Sequence, residues 1–212
     1  MSGERHGFRV VLIAMAVLLC AGGQTGAAVL FSTLSADPYD IHGGAPVGLM
    51  PGVGNFTQGN QFSFTGMTSR TLDSVELAAA LFSGTNQLNV SLMSDAAGQP
   101  GSVIESFSFV GQMGGIDNNN PLLVGTSILH PLLLPDTNYW LVLSAGDDTL
   151  AAWNYASPSV TGMTARRLDA GPWNVFNSDL SAFRINGVPA PSALLLVGIG
   201  ITLVGWSRRR TM

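Results

Sequence analysis

The chain has 212 residues, of which 46% are hydrophobic and only 10% are charged, and its formal net charge is −4. Ordinary globular domains carry about 25% charged residues, so this composition argues against a soluble domain with a salt-bridged surface, while the hydrophobic content argues against a disordered chain. Because all nine basic residues are Arg and the chain has few cations to neutralise phosphates, we expect no nucleic-acid partner.

The charge is distributed unevenly along the chain. Five of the nine arginines lie near the two ends: Arg5, Arg9, Arg208, Arg209 and Arg210. Between residues 29 and 187, four arginines stand against twelve acidic residues, which gives this part a net charge of −8. Since the length fits one domain of about 100–200 residues plus targeting segments, we expect an acidic domain between two targeting signals.

The first 28 residues have the order of a secretory signal peptide. Arg5 and Arg9 precede an apolar run over 10–19, and small residues follow up to Ala27 and Ala28. We therefore predict cleavage after Ala27 or Ala28. A retained signal anchor is the alternative, but an apolar run of ten residues is short for a hydrocarbon core of about 30 Å.

The only cysteine, Cys20, lies at the end of this apolar run. It raises the alternative of a bacterial lipoprotein, in which the residue before the lipidated cysteine is normally small, whereas here it is Leu19. If the signal peptide is removed, the exported domain has no cysteine, so its fold must be stable without disulfides.

Residues 29–187 predict one all-β domain. Short apolar runs alternate with clusters of Gly, Asn, Asp, Ser and Pro, and no long segment has the 3.6-residue period of a helix. Only 75–82, with its alanine run, has a helix as an alternative, and the turn residues after it favour a strand. Many short strands at near-regular spacing indicate a single antiparallel β-sandwich or a jelly roll. The predicted strands are 61–65, 74–82, 87–93, 106–110, 122–130, 139–144, 151–155, 163–168, 175–176 and 182–185.

Two segments of this domain form a recognisable pair. Residues 89–101 read as a strand that runs into Asp95, whose carboxylate can cap its own turn. Residues 134–144 read as a turn that leads into a strongly apolar strand containing Tyr139 and Trp140. Together they resemble the choice-of-anchor R domain, a group found on exported proteins with varied surface-anchoring tails. The resemblance implies an exported β-sandwich and supplies no catalytic residues.

The C-terminal segment 188–212 has three parts. A proline-rich motif comes first: Val188, Pro189, Ala190, Pro191 and Ser192. An apolar stretch over 193–206 is next, and it is short for a transmembrane helix, about 21 Å at a rise of about 1.5 Å per residue. A basic cluster follows: Arg208, Arg209 and Arg210. By the positive-inside tendency, the arginines at both ends lie in the cytoplasm and the domain lies outside.

This order of motif, apolar helix and arginines resembles the PEP-CTERM sorting signal of Gram-negative bacteria, with Ala190 where the family usually has Glu. The resemblance implies that a membrane-embedded exosortase recognises the segment and cuts near the proline motif. It also implies an inner-membrane-tethered precursor that is delivered to the cell surface or to extracellular polysaccharide. An ordinary single-pass membrane anchor is the alternative.

The domain has no recognisable catalytic motif. The sequence lacks a His-x-x-x-His motif, a cysteine pair and a GxSxG elbow, so neither zinc chemistry nor serine hydrolysis is indicated. We expect His130 to be a partly buried structural residue and His42 to be exposed. Residues 117–120 and 146–148 offer oxygen ligands of the kind that Ca²⁺ accepts, but their acidic residues are also typical of solvated turns. A glycosidase needs a pair of carboxylates, and most acidic residues of this domain likewise lie in turns, where Asp caps the backbone. We predict no enzyme activity, no cofactor and no metal site.

Three aromatic residues are candidates for stacking on sugar rings. Trp153 and Tyr155 share a face of an alternating strand, and Trp173 lies in the loop 171–174. Packing in the core of the sandwich is the alternative, because aromatic residues dominate such cores.

The sequence thus predicts a signal peptide over 1–28, an extracytoplasmic β-sandwich over 29–187 and a sorting and anchor segment over 188–212. We expect a non-enzymatic surface protein whose partners are the membrane, an exosortase-type enzyme and exopolysaccharide. The alternative function is a carbohydrate-binding module that uses the three aromatic residues.

Overall fold

The computed structural model describes residues 26–35, 39–146 and 148–190. Within these ranges the chain folds into fifteen β-strands and no α-helix, which confirms the prediction of an all-β domain. The strands are β1 (Ala28–Ser32), β2 (Gly44–Met50), β3 (Gly54–Phe62), β4 (Arg70–Leu77), β5 (Ala79–Ser83), β6 (Gln87–Asp95), β7 (Pro100–Val110), β8 (Gly114–Gly115), β9 (Leu123–Thr126), β10 (Leu132–Leu133), β11 (Tyr139–Ala145), β12 (Leu150–Asn154), β13 (Thr161–Leu168), β14 (Asn174–Asp179) and β15 (Phe183–Pro189).

The strands form two sheets. The five-stranded sheet, called the small sheet, has the order β1-β15-β4-β10, and β9 also pairs with β4. The ten-stranded sheet, called the large sheet, has the order β7-β6-β11-β3-β2-β12-β5-β8, with β13 attached to β3 and β14 attached to β13. Every described pair is antiparallel except the short pair of β5 with β8.

One apolar core joins the two sheets and gives the domain its sandwich character. Alternate residues of β6 and β11 enter this core from the large sheet, and residues of β4 and β15 enter it from the small sheet, as the two-residue period of a strand dictates. Burying each large side chain stabilises the fold by about 1.5–3 kcal/mol. The main contributors are Leu72, Val75, Leu77, Leu88, Val90, Leu92, Leu141, Leu143, Phe183 and Ile185.

The two segments that resemble an anchoring domain are neighbours in the large sheet, because β6 pairs with β11 along its length. The Asp95 carboxylate accepts a hydrogen bond from the Gly98 N–H at 2.9 Å, which confirms the predicted cap. Its other oxygen accepts from Trp140 Nε1 at 2.7 Å and from Gln61 Nε2 at 3.1 Å. The motif therefore holds a turn of one strand against a buried tryptophan of the next.

The prediction of one strand over 74–82 is wrong, because the chain changes sheets at Ala78. β4 belongs to the small sheet and β5 to the large sheet. Between them the Ala78 N–H donates to the Ala182 carbonyl at 3.1 Å, and the Ala78 carbonyl accepts from the Asn154 N–H at 3.0 Å. The small side chains of this alanine run leave room for the backbone to cross the interior.

β3 is the strand at which the large sheet divides. Gln58 pairs with Leu143 of β11 and also with Arg166 of β13, so β11 and β13 lie on opposite edges of β3. The first residues of β3, 54–56, pair with β2 on the same edge as β11. The hairpin of β13 and β14, called the wing, therefore extends the sheet on the side away from β2 and β11.

The last strand includes the start of the predicted sorting motif. Val188 pairs with Thr71 and Pro189 pairs with Arg70, so β15 continues two residues past the expected domain boundary at Gly187. In the described part of the chain, no helix is long and apolar enough to span a membrane. The predicted signal-peptide core, the apolar stretch 193–206 and these motif and cluster residues lie outside the described ranges: Pro191, Ser192, Arg208, Arg209 and Arg210.

Candidate functional site

Trp153 is fully buried, so it is not available for stacking on a sugar, and the alternative of packing in the core applies to this residue. Its ring lies 5.7 Å from that of Phe183 between the centroids, and its indole N–H donates to the Ala182 carbonyl at 3.2 Å. The reason is its position in β12, which lies between β2 and β5 in the large sheet. Residue alternation indicates which residues of β12 share a face, but it does not indicate which of the two faces meets the core.

Trp173 is half-buried, and one face of its ring is occupied. The guanidinium carbon of Arg167 lies 4.7 Å from the ring centroid, a cation–π contact. Trp173 also packs against a small cluster that contains Trp140 and Ala165. Since Ala165 and Arg167 alternate with Arg166 along β13, Trp173 lies on the face of the wing opposite to Arg166.

Tyr155 lies at the mouth of a cleft. It follows β12, bridges to Ser181, and donates its backbone N–H to the Gly43 carbonyl at 3.0 Å. Its side chain is half-buried. The structure therefore separates the three predicted aromatics: Trp153 is in the core, Trp173 is on the far side of the wing, and only Tyr155 lines a cavity.

The cleft lies where β3 divides the large sheet, with the wing on one side and β2 and Tyr155 on the other. Its volume is about 190 Å³, which is below the range of about 300–1,000 Å³ typical of sites for drug-sized ligands. A cavity of this size suits a single small polar molecule or one unit of a longer chain.

The floor of the cleft is polar and buried. Gln58 donates from Nε2 to the Pro46 carbonyl at 3.0 Å, and the Thr164 hydroxyl donates to the Phe176 carbonyl at 3.1 Å. Asn60 is only 3% exposed, and its side-chain nitrogen Nδ2 has no hydrogen-bond partner among the described residues. Because most buried polar side-chain atoms are hydrogen-bonded, an unpartnered amide at the floor of a cleft requires an explanation.

The rim of the cleft carries one positive side chain, Arg166, and one negative side chain, Asp179. The guanidinium carbon of Arg166 lies 5.8 Å from the centroid of the Phe56 ring and 5.7 Å from that of Phe176. Arg166 forms no ion pair with a carboxylate in the described part of the chain. Asp179, also on the rim, accepts a hydrogen bond from the Ser159 hydroxyl at 2.6 Å. Two aromatic rings thus hold the arginine in place while its N–H donors remain available.

The histidines and the acidic loops lie elsewhere. His42 is exposed, as predicted, and its Nδ1 lies 2.9 Å from Oδ1 of Asp117. Asn118 and Asn120 donate to backbone carbonyls of their own loop, as expected for a turn. Asp148 accepts from the Thr85 hydroxyl at 2.8 Å, and residue 147 is outside the described ranges. Within those ranges, no three His, Cys, Asp or Glu residues are grouped as they would be around a metal ion.

Glu105 is a buried acid that the sequence analysis missed. Its carboxylate accepts from the Ser127 hydroxyl at 2.7 Å and from the N–H groups of Ile128 and Leu129 at 2.7 and 3.0 Å. Burial alone would raise the pKa of Glu105, but these three hydrogen bonds and the charge of His130 together lower it. Glu105 has the same strand parity as Phe107 and Phe109, and this alternation, extended one residue before the predicted strand 106–110, is the signal that could have placed it on an inward face.

His130 is exposed, so the expectation of a partly buried histidine is wrong. The loop around it is nevertheless anchored: the His130 backbone N–H donates to the Ser127 hydroxyl oxygen at 2.9 Å, and its Nδ1 lies 3.2 Å from the Leu72 carbonyl oxygen. The segment therefore links β7 of the large sheet to β4 of the small sheet.

Exposed apolar side chains lie close to the end of β15. Leu132 and Val188 both pair with Thr71, from opposite sides of β4. Five exposed apolar residues, called the apolar rim, lie on the chain just before β4 and in or next to β10: Met67, Ile128, Leu129, Leu132 and Leu134. Exposed apolar residues that lie together can contact another apolar body.

No protein-family model matches the chain, and no curated protein matches it. The fold, the cleft and the apolar rim are therefore the observations on which a function rests.

Proposed function

We propose that the protein is an exported, non-enzymatic β-sandwich that its C-terminal segment tethers to the inner membrane as a precursor. In this proposal a signal-peptide helix precedes the domain and a short transmembrane helix follows it. The resemblance of 188–212 to a PEP-CTERM signal suggests that an exosortase-type enzyme then delivers the domain to the cell surface of a Gram-negative bacterium.

The observation that carries this proposal is the position of the apolar rim. β15 ends at Pro189, beside Arg70, and only Ala190, Pro191 and Ser192 separate this strand end from the apolar stretch 193–206. A helix that begins so close to the domain holds the same end of the sandwich near the bilayer. Exposed Met67, Leu132 and their neighbours then face lipid instead of water, which accounts for their exposure.

The start of the fold supports the predicted signal peptide. β1 begins at Ala28, which pairs with Gly187 of β15. Cleavage after Ala27 leaves every residue of β1 in place. Cleavage after Ala28 removes one paired residue at the strand end.

Cysteine labelling tests the topology, because the only natural cysteine, Cys20, lies in the predicted signal peptide. In a Cys20→Ser background, we expect Asn119→Cys, which is exposed and is not part of the apolar rim, to react with a membrane-impermeant maleimide in intact spheroplasts. Thr211→Cys, beyond the arginine cluster, is the matched control and should react only after lysis. Protection of Asn119→Cys until lysis would overturn the proposed topology.

Carbohydrate binding is the second candidate function, and the polar cleft beside Tyr155 favours it. Sugar sites combine an aromatic ring with convergent polar groups, and Tyr155 is the predicted aromatic that lies next to such groups. We expect Tyr155→Ala to reduce retention on immobilised polysaccharide, and Trp173→Ala, on the other face of the wing, to leave it unchanged. Equal retention of wild type and Tyr155→Ala on every polysaccharide tested would remove this candidate.

A further inference from the structure

We propose that the cleft binds a carboxylated sugar unit, with Arg166 holding the carboxylate and Asn60 donating to a ring or hydroxyl oxygen. This inference rests on the second candidate function, carbohydrate binding, and names the class of ligand. The inference rests on two hydrogen-bond donors, Asn60 and Arg166, that line one small cavity and have no hydrogen-bond acceptor or carboxylate partner among the described residues.

Asn60 supplies the first donor. Its position on β3 is fixed by pairing on both edges, with Leu141 on one side and Thr164 on the other. Burial removes its amide from bulk water, and Nδ2 donates to no described atom. A ligand oxygen at the floor of the cleft would satisfy this donor, since a hydroxyl or ring oxygen accepts from N–H.

Arg166 supplies the second donor and the charge. A guanidinium presents a planar fork of N–H groups that matches a carboxylate through two parallel hydrogen bonds. The rings of Phe56 and Phe176 restrain this fork at the rim, so little conformational freedom is lost when a ligand binds. An arginine without a carboxylate partner, in a domain with three acidic residues for each arginine, is well placed to accept an external one.

The walls and the volume favour a sugar acid over a larger anion. Two aromatic residues, the half-buried Tyr155 and Phe176, line the cleft. Aromatic walls suit the C–H face of a sugar ring, and a cavity of about 190 Å³ suits one such ring. The open mouth of the cleft lets the unit belong to a longer acidic polysaccharide.

Arg167 provides a matched control within the same strand. It is adjacent to Arg166 in sequence, but its guanidinium lies over Trp173 on the opposite face of the wing. A general effect of positive charge on the wing would depend on both arginines. Binding in the cleft should depend on Arg166 alone.

Isothermal titration of the full-length chain in detergent micelles, with glucuronate, glucose and acetate as probes, tests the proposal. We expect glucuronate to bind more tightly than glucose or acetate. Arg166→Gln should weaken glucuronate binding by about tenfold or more, since a hydrogen-bonded charge pair is lost. Arg167→Gln should change it less than twofold, a margin of roughly experimental size.

A second variant separates a binding role of Asn60 from a structural one. Asn60→Leu keeps the side-chain size but removes the unpartnered amide, so we expect the melting temperature to stay the same or rise while glucuronate binding is lost. A fall in melting temperature with unchanged glucuronate affinity would show that Asn60 serves the fold through a buried water, and would overturn its assignment to the ligand.

The remaining outcomes distinguish this inference from the function on which it rests. Equal binding of acetate and glucuronate would reduce the cleft to a simple carboxylate site and overturn the sugar assignment. Tyr155-dependent binding of neutral polysaccharide, with no binding of glucuronate, would overturn the acidic ligand and leave carbohydrate binding in place. Absence of binding to every sugar, neutral or acidic, would overturn both.

Discussion

At the scale of single residues, Glu105 places a carboxylate in the interior and uses it to fix a loop. Three donors from residues 127–129 converge on its two oxygens, so the segment that leads to His130 is tied to β7. The same segment carries Ile128 and Leu129 of the apolar rim. Glu105 therefore helps to hold these two residues of the apolar rim in position.

Glu105→Gln should lower the free energy of unfolding at pH 7 by about 1–3 kcal/mol, because a neutral amide offers one acceptor oxygen for three donors. The pKa of Glu105 is lowered from its ordinary value of 4.5 in the folded state. Its contribution to stability is thus present above that value and is lost as the pH falls through the lower folded-state pKa. Urea unfolding followed by tryptophan fluorescence at pH 7 and in acid measures this difference.

We expect the gap between wild type and Glu105→Gln to close in acid. Asp136→Asn is the control, because Asp136 is an exposed acid on a turn. A gap that stayed constant with pH would show that the charge of Glu105 does not hold the loop.

At the scale of elements, the sequence indicated the strands whose apolar alternation is strong and missed those rich in Gly and Pro. The predictions 87–93 and 139–144 fall within β6 and β11, which carry the core. β2 has the sequence GAPVGLM, and its Pro46, Gly44 and Gly48 read as loop residues. β12 pairs with residues 44–48 and β3 only with residues 48–50, so Gly44 and Pro46 are paired on one edge only, where sheets tolerate a proline.

At position 48, β2 needs a glycine, although glycine is disfavoured in strands. Its φ is +92°, and a Cβ there would overlap the Thr149 carbonyl oxygen, which accepts from the Leu49 N–H at 2.7 Å. We expect Gly48→Ala to destabilise the fold by about 3 kcal/mol or more through backbone strain and overlap. Thermal unfolding measures the effect.

Gly52→Ala is the matched control for this prediction. Gly52 also has a positive φ, +77°, but no atom lies within 4 Å of the position that a Cβ would take. It should cost only about 1–2 kcal/mol, the strain of the left-handed conformation itself. Equal losses for the two variants would contradict the close approach of Thr149.

At the scale of the whole molecule, the all-β class was predictable and the cleft was not. Composition and spacing indicated short strands around one core. The cleft depends on the division of the large sheet at β3, which brings together Pro46, Asn60, Tyr155 and Arg166 from separate parts of the chain. Alternation within one strand cannot reveal such long-range contacts, and for that reason it did not decide between the exposed and the buried alternative for Trp153.

In the proposed path from precursor to surface protein, the end of β15 decides which cleavage positions leave the small sheet complete. Residues up to Pro189 pair with β4, so a cut before Val188 removes two paired residues from the small sheet. A cut after Pro189 leaves the sandwich intact and releases it from the apolar stretch. We therefore expect processing by an exosortase-type enzyme on the C-terminal side of this strand, where the cut removes no paired residue.

The intact mass of the mature protein, isolated from cells that carry the sorting enzyme, tests the central claim most directly. We predict a species that begins at Ala28 or Val29 and ends between Pro189 and Ser192. A species that still ends at Met212 would contradict processing and would leave the C-terminal segment as a permanent membrane anchor.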